Sequence, residues 1–136
     1  MSSQPSHKEM LISTACWITA VRARESERAD RLFNDPWAAG LAGEEGPAWR
    51  QRTMGGKDEN EGGLAIRTRF FDDFLVEATR EQTVCQVVIA AAGMDTRAFR
   101  LAWPPHTHLF ELDLPPPFLC AKSRGRPHVS TPYRAG

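Results

Sequence analysis

Two short apolar runs, each followed by a small or acidic residue, constrain the fold of this chain more than any other feature. Residues 84–91 read VCQVVIAA and lead into a turn at Gly93; residues 107–113 read THLFELD and end at Asp113. An unbroken run rich in valine and isoleucine is typical of a strand buried on both faces of a parallel sheet. With one helical turn between the runs, this order predicts the opening of an α/β, doubly wound sheet.

Two helical segments and a loop come first along the chain. Residues 13–31 predict a helix whose second half alternates in charge, as a solvated helical face does. Asn34-Asp35-Pro36 then breaks the chain and begins a short helix, because proline fits the first helical position. Residues 43–63 are rich in Gly, Glu, Asp and Asn and predict a loop.

The helix predicted over residues 64–80 is strongly amphipathic. Its apolar residues recur every four positions at Ile66, Phe70 and Phe74, with Phe71 beside them. This stripe predicts core packing. The neighbouring acids Asp72 and Asp73 fall away from the centre of the stripe, and we expect them on a solvated face.

The composition divides the chain near Pro115. Residues 1–115 contain 13 basic and 17 acidic residues, whereas residues 116–136 contain four basic residues and no acid. Seven of the ten prolines lie from Pro104 onward. We therefore expect a flexible N-terminus over residues 1–12, a folded part over residues 13–115 and a disordered C-terminal tail over residues 116–136.

Charge and cysteine content narrow the function classes. The net charge is zero, which gives no general electrostatic reason to bind nucleic acid or a membrane surface. No apolar run approaches the roughly 18 residues that a membrane span needs. Three cysteines without a CxxC pair predict free thiols and a cytoplasmic protein. His106 and His108 have no third ligand in view, so no metal is expected.

Gly93 and Asp113 are expected on one edge of the sheet, where the carboxyl ends of its strands meet. A glycine admits a ligand close to the backbone, and a carboxylate at the end of the next strand accepts hydrogen bonds from ribose hydroxyls. The second and third glycines of a dinucleotide fingerprint are missing. A nucleoside ligand without phosphates fits better. Asp95 and Thr96 are expected to cap the helical turn that follows.

Four strings together resemble the leucine carboxyl methyltransferase family and its bacterial S-adenosylmethionine-dependent relatives. They are, in family order, TACWITAVRARESERADRLFNDPWAA, RTRFFDDF, QVVIAAAGMDTRAFRL and FELDLP. The resemblance implies a class I methyltransferase (Rossmann-like) fold with N-terminal helices. It also implies methyl transfer from S-adenosyl-L-methionine to an oxygen, typically that of a carboxylate on a small molecule or a protein.

The resemblance also implies roles for individual residues. Arg67 of RTRFF would bind the carboxylate of the cofactor, with Arg69 as the second candidate and Arg22 or Arg24 as a further basic contact. Gly93 would lie under the methionine portion, and Asp113 would bind the ribose. From the residues alone, Arg67 and Arg69 fit solvated helix charges equally well. No catalytic residue is assigned.

Two departures from the family pattern stand out. The family loop reads L-G-A-G, and this chain has Ala91 at the first of its two glycines. The resemblance stops at Pro115, although family members are roughly twice this length, as a complete sheet requires. The first hypothesis is therefore a truncated methyltransferase. The alternative is a non-catalytic fragment that binds the cofactor weakly or not at all.

Overall fold

A computed structural model describes residues 7–44, 46–48, 51, 61–81 and 83–113. Of the N-terminus predicted to be flexible over residues 1–12, residues 1–6 lie outside the described residues, whereas residues 7–12 are helical. The predicted tail over residues 116–136 also lies outside the described residues. The helices and strands, in chain order, are α1 (His7–Glu27), α2 (Ala38–Ala42), α3 (Glu61–Arg80), β1 (Gln86–Ala90), α4 (Arg97–Arg100) and β2 (His108–Leu112). The α/β class is confirmed, and α1 begins earlier than the predicted Ser13.

The two strands form a parallel pair in which Gln86 lies opposite His108 and Ala90 opposite Leu112. Residues 91–107 make the crossover and contain α4. Parallel strands need such a connection because the chain must return to the same end of the sheet. Both strands therefore end at one edge, as the sequence predicts.

The prediction that β1 is buried on both faces is wrong. Val87 is buried, but Val88, on the opposite face, is 58% exposed. Successive side chains of a strand alternate between the two faces, so only the Val87 face is covered in the part of the chain that the structure describes. Its partner strand leaves Phe110 and Leu112 exposed on the same side as Val88. We call these three residues the outer sheet face.

The main apolar core lies between the N-terminal helices and the turn after β1. Cys16 of α1 and Leu41 of α2 pack with Met94, and Ile12 and Trp37 lie against this cluster. Met94 is thus the residue through which the segment after β1 joins the N-terminal helices. This packing fixes where the end of β1 lies relative to α1.

The buried face of helix α3 is not the apolar stripe that the sequence predicts. Its buried residues are Ala65, Asp72 and Thr79, which recur every seven positions and share one face. Phe70 and Phe74 are 63% and 58% exposed, and Ile66 is exposed as well. The expected core packing of this stripe is therefore wrong for the described structure. We call these three exposed residues the α3 stripe.

None of the described helices is long and apolar enough to cross a membrane.

Candidate functional site

The carboxyl edge of the two strands brings together a glycine and an acid that lie 20 residues apart. The backbone N–H of Gly93 donates to Oδ2 of Asp113 at 2.6 Å. One residue earlier, the N–H of Ala92 donates to the carbonyl of Leu112 at 3.0 Å. The two strands are thus linked beyond their last paired residues. Gly93 and Asp113 lie on the same edge, where the sequence predicts them.

The turn after β1, residues 91–96, is here called the β1 loop. Its backbone has positive φ angles at Ala91 (+52°) and Gly93 (+50°). Glycine adopts this left-handed region readily, but an alanine there costs about 1–2 kcal/mol because its Cβ crowds the backbone. The family glycine that Ala91 replaces therefore matches a conformational requirement of the loop itself.

Arg22 of α1 holds the β1 loop from the helical side. Its Nη2 donates to the carbonyl of Met94 at 2.6 Å, and its Nε donates to Oδ2 of Asp35 at 2.8 Å. The Arg22 side chain is mostly buried. Together with the Met94 side chain in the core, these bonds attach the loop to α1 by both polar and apolar contacts.

Asp35 is a buried carboxylate that accepts from three groups. Besides Arg22, the hydroxyl of Thr96 donates to Oδ2 at 2.6 Å, and the N–H of Trp37 donates to Oδ1 at 3.2 Å. Asp35 is only 2% exposed. A buried charge needs an opposite charge and hydrogen bonds, and this one has both.

Asp72 corrects a third expectation. It is 4% exposed, and the guanidinium groups of Arg97 and Arg100 surround it. Nε of Arg97 donates to Oδ1 at 2.8 Å, while Nη1 and Nη2 of Arg100 donate to Oδ2 and Oδ1 at 2.6 and 2.7 Å. The prediction of a solvated Asp72 is wrong because its partners arrive from α4, far along the chain. Its neighbour Asp73 is exposed, as expected.

The expected cap of α4 is half right. Oδ1 of Asp95 accepts from the N–H of Arg97 at 2.8 Å, which satisfies a free donor at the start of the helix. Thr96 occupies the N-cap position but makes no side-chain capping bond. Its hydroxyl is used by Asp35 instead.

The basic residues singled out on α3 differ in their surroundings. Arg69 donates to Oδ2 of Asp73 and to the carbonyl of Leu32, both at 2.7 Å. The hydrogen bond and charge of Asp73 raise the pKa of the Arg69 guanidinium. The Arg67 guanidinium is 6.0 Å from the ring centroid of Phe71. Among the described residues, no hydrogen bond or ion pair joins Arg67 or Arg69 to the β1 loop.

Arg24, the alternative to Arg22 as a basic contact of the cofactor, forms an ion pair with a residue outside the β1 loop. Its guanidinium pairs with the carboxylate of Glu61, and its Nε lies 3.1 Å from Oε2. This ion pair joins α1 to the first residue of α3. Of the two candidates in VRARE, only Arg22 has a hydrogen bond to the β1 loop.

The sequence interpretation missed the acids that organise the site. The sequence predicts Asp35 as part of a helix start and Asp72 as a surface charge. Their side-chain partners lie 13 to 61 residues away, so no local spacing reveals the pairs. The one usable signal is the TRAFR segment, where two arginines on a four-residue helix require nearby acids if they are buried.

A parallel strand pair, a left-handed loop after the first strand and a carboxylate after the second are features of Rossmann-like α/β proteins, a class whose ligands bind at the carboxyl edge of the sheet. The comparisons with known proteins specify the family. The family model of leucine carboxyl methyltransferase matches residues 15–124. The chain belongs to the leucine carboxyl methyltransferase family.

Curated relatives support this membership. A Streptomyces coelicolor protein, provisionally named an S-adenosyl-L-methionine-dependent methyltransferase, is 44% identical over 113 residues, which cover 77% of this chain and 39% of the relative. A Frankia alni protein with the same description is 47% identical over 108 residues, covering 75% and 38%. A Mycobacterium tuberculosis protein is 41% identical over 116 residues, covering 76% and 33%. The chain thus spans less than two fifths of the length of these relatives.

Proposed function

We propose that this chain forms the S-adenosyl-L-methionine-binding edge of a methyltransferase that acts on a carboxylate oxygen. The observation that carries the proposal is the contact between the Gly93 N–H and the Asp113 carboxylate. It brings a residue without a side chain next to an acid on the edge where Rossmann-like sheets bind their ligands. A carboxylate has about four acceptor sites, so the bond from Gly93 leaves capacity for ribose hydroxyls.

The chemistry of the surrounding groups fits this cofactor. The α-carboxylate of a methionine portion needs a guanidinium or ammonium partner, and Arg67 offers an exposed guanidinium without an acid partner among the described residues. Arg69 and Arg22 are the further candidates. Each is already bound to an aspartate, Asp73 and Asp35 respectively. We therefore rank Arg67 first for the carboxylate, with Gly93 under the methionine portion and Asp113 on the ribose.

When bound, S-adenosylmethionine supplies a methyl group already activated by its sulfonium charge. The residues of this chain bind and orient it, which is the main protein contribution in such a transfer. The methyl acceptor we propose is a carboxylate of a small molecule or a protein, in keeping with the family name. Its binding residues are not among those assigned here. The free thiols of Cys16 and Cys85 suit the reducing cytoplasm, the compartment we propose.

A second candidate function is a non-catalytic fragment with weak cofactor binding. The outer sheet face and the α3 stripe favour it, because together they leave six large apolar side chains exposed. Faces of this kind normally pack against further strands and helices. The two candidates differ in turnover, and they also differ in affinity.

The test is a calorimetric titration of the full chain with S-adenosylhomocysteine. Asp113→Asn is the diagnostic variant, and Glu111→Gln, two residues earlier in β2, is the matched control. Loss of one charge-assisted hydrogen bond is worth about 1.5–3 kcal/mol, so we expect at least about tenfold weaker binding for Asp113→Asn and little change for the control. Equal affinities for both variants would refute the ribose assignment.

Transfer of a labelled methyl group to carboxylate acceptors separates the two functions. Binding with transfer supports the methyltransferase. Saturable binding without transfer to any acceptor supports the fragment, and absence of binding to the folded chain overturns the cofactor site.

A further inference from the structure

We propose that Asp35 is a positioning residue that sets the shape of the β1 loop for ligand binding. The proposal rests on the proposed function for the identity of the ligand, but its structural half concerns the loop alone. Asp35 lies outside the carboxyl edge of the sheet, between α1 and α2, and none of the comparisons assigns it a role.

Asp35 reaches the β1 loop at two points. Its carboxylate accepts directly from the Thr96 hydroxyl at the end of the loop. It also holds Arg22, whose other arm donates to the carbonyl of Met94 in the middle of the loop. One buried carboxylate therefore fixes two loop positions, one of them through an arginine.

The remaining loop contacts come from other elements. Gly93 is bound by Asp113, the residue after β2, and the N–H of Asp95 donates to the carbonyl of Ala92 at 2.8 Å within the loop. With the bond from the Ala92 N–H to the carbonyl of Leu112, the loop has two attachments to the end of β2 in the described structure. Its two polar attachments on the side of the N-terminal helices both involve Asp35, one directly and one through an arginine.

The loop needs such attachments because its backbone is strained. A non-glycine residue with positive φ persists only where its surroundings over-determine it, and Ala91 is such a residue. A loop already held in its binding shape loses less freedom when a ligand arrives, which raises affinity without any new contact. Asp35 acts in this way, through Thr96 and Arg22 rather than by touching the ligand.

A second buried acid supports the first. Nε of Arg100 lies 3.9 Å from Oδ2 of Asp35, while its two other nitrogens bind Asp72. Arg100 thereby links the two carboxylates. Asp35 therefore also has an opposite charge on α4, which is bound in turn to α3.

The test compares two threonine-to-valine variants of the full chain. Thr96→Val removes the hydroxyl that Asp35 accepts from. Thr79→Val is the matched control, because Thr79 is equally buried but donates only to carbonyls of its own helix, those of Leu75 and Val76. A general loss of stability is shared by the two variants, whereas an effect on the loop is confined to the first.

Two readouts are measured on the folded proteins, amide hydrogen exchange at Gly93 and Asp95 and affinity for S-adenosylhomocysteine. For Thr96→Val we expect about tenfold lower protection and about tenfold weaker binding, the equivalent of one hydrogen bond. Thr79→Val is expected to change neither more than about twofold beyond a general loss of stability. Equal loop protection in the two variants overturns the proposal.

The same data distinguish a failure of the proposed function. If the wild-type chain does not bind S-adenosylhomocysteine but Thr96→Val selectively loses loop protection, the cofactor assignment fails and the positioning of the loop by Asp35 stands. Selective loss of protection with unchanged affinity shows that Asp35 orders the loop without aiding the ligand, which overturns the functional half of the proposal.

Discussion

The β1 loop and the outward faces of the molecule are stabilised by opposite means. The loop exposes little apolar surface and is held by hydrogen bonds from α1, β2 and the segment before α2. The α3 stripe and the outer sheet face are apolar, yet they remain exposed in the described structure. The described residues therefore hold the β1 loop by polar contacts and leave much of their apolar surface uncovered.

This difference shows that the two tasks need different amounts of chain. A loop is fixed by a few hydrogen bonds, because each of them is directional and joins two specific atoms. An apolar face needs a whole opposing layer of strands or helices to bury it. Disturbing one region at a time tests whether they are as independent as the contacts indicate.

The largest effect is expected from Asp72→Ala. Removing this carboxylate takes both hydrogen bonds from the buried guanidinium of Arg100, which keeps only a 3.9 Å contact with Asp35, and leaves the nearly buried Arg97 with Asp95 alone. Breaking a buried ion pair from one side costs about 3–5 kcal/mol, which we expect as the loss in the free energy of unfolding. Urea denaturation monitored by circular dichroism measures it.

Asp73→Ala is the control, one residue further along the same helix. Asp73 and its partner Arg69 are both more than half exposed, and exposed pairs contribute about 0–1 kcal/mol. Equal losses in the free energy of unfolding for the two variants would mean that the buried ion pairs of Asp72 stabilise the protein no more than an exposed pair does.

A smaller effect of opposite sign is expected from Ala91→Gly. Glycine relieves the left-handed strain, worth about 1–2 kcal/mol, but it costs roughly 0.4–1 kcal/mol in the entropy of the unfolded chain. We expect a net gain of about 1 kcal/mol in the free energy of unfolding. Thermal and urea unfolding both report it.

Ala92→Gly is the matched variant at the next position. Ala92 is buried and has no positive φ, so we expect it to lose stability. A loss for Ala91→Gly as well would show that the loop does not strain its alanine. Tighter binding of S-adenosylhomocysteine by Ala91→Gly would add that the methyl group also crowds the ligand.

The smallest effect is expected from Phe74→Gln on the α3 stripe. The side chain is 58% exposed, so its replacement is expected to change the free energy of unfolding by about 0.5 kcal/mol or less. We expect less light scattering when the variant is concentrated, because exposed apolar patches favour association.

Phe33→Gln is the control, since Phe33 is buried against Arg100 and the same change there is expected to be strongly destabilising. A loss of several kcal/mol for Phe74→Gln would contradict the exposed stripe.

The parts of the fold that follow a local rule were predictable. The strand ends at Ala90 and Leu112 follow from short apolar runs, and parallel pairing then puts Gly93 and Asp113 on one edge. The period of α3 was also visible in its sequence. The helical period shows which apolar residues share a face, but it does not show which other elements cover that face. The exposure of Phe70 and Phe74 therefore could not be predicted.

The polar network was unpredictable for a different reason. Thr96 looks like a helix cap in sequence, and only the arrival of Asp35 from 61 residues away redirects its hydroxyl. The left-handed φ of Ala91 was likewise hidden, although its replacement of a family glycine pointed to that position. Local chemistry predicts where the candidate site lies, and tertiary contacts hold the loop beside it.

The place of Met94 in the core has a consequence for the order of events during synthesis. Cys16 and Leu41 leave the ribosome well before Met94 does, yet the three share one cluster. At a synthesis rate of about 5–20 residues per second, Met94 is added roughly 3–10 s after Leu41, and only then can the packing of the N-terminal helices be completed. Through that interval α1 and α2 lack a closed interior, and the moment at which they acquire one is also the moment at which the β1 loop takes its place.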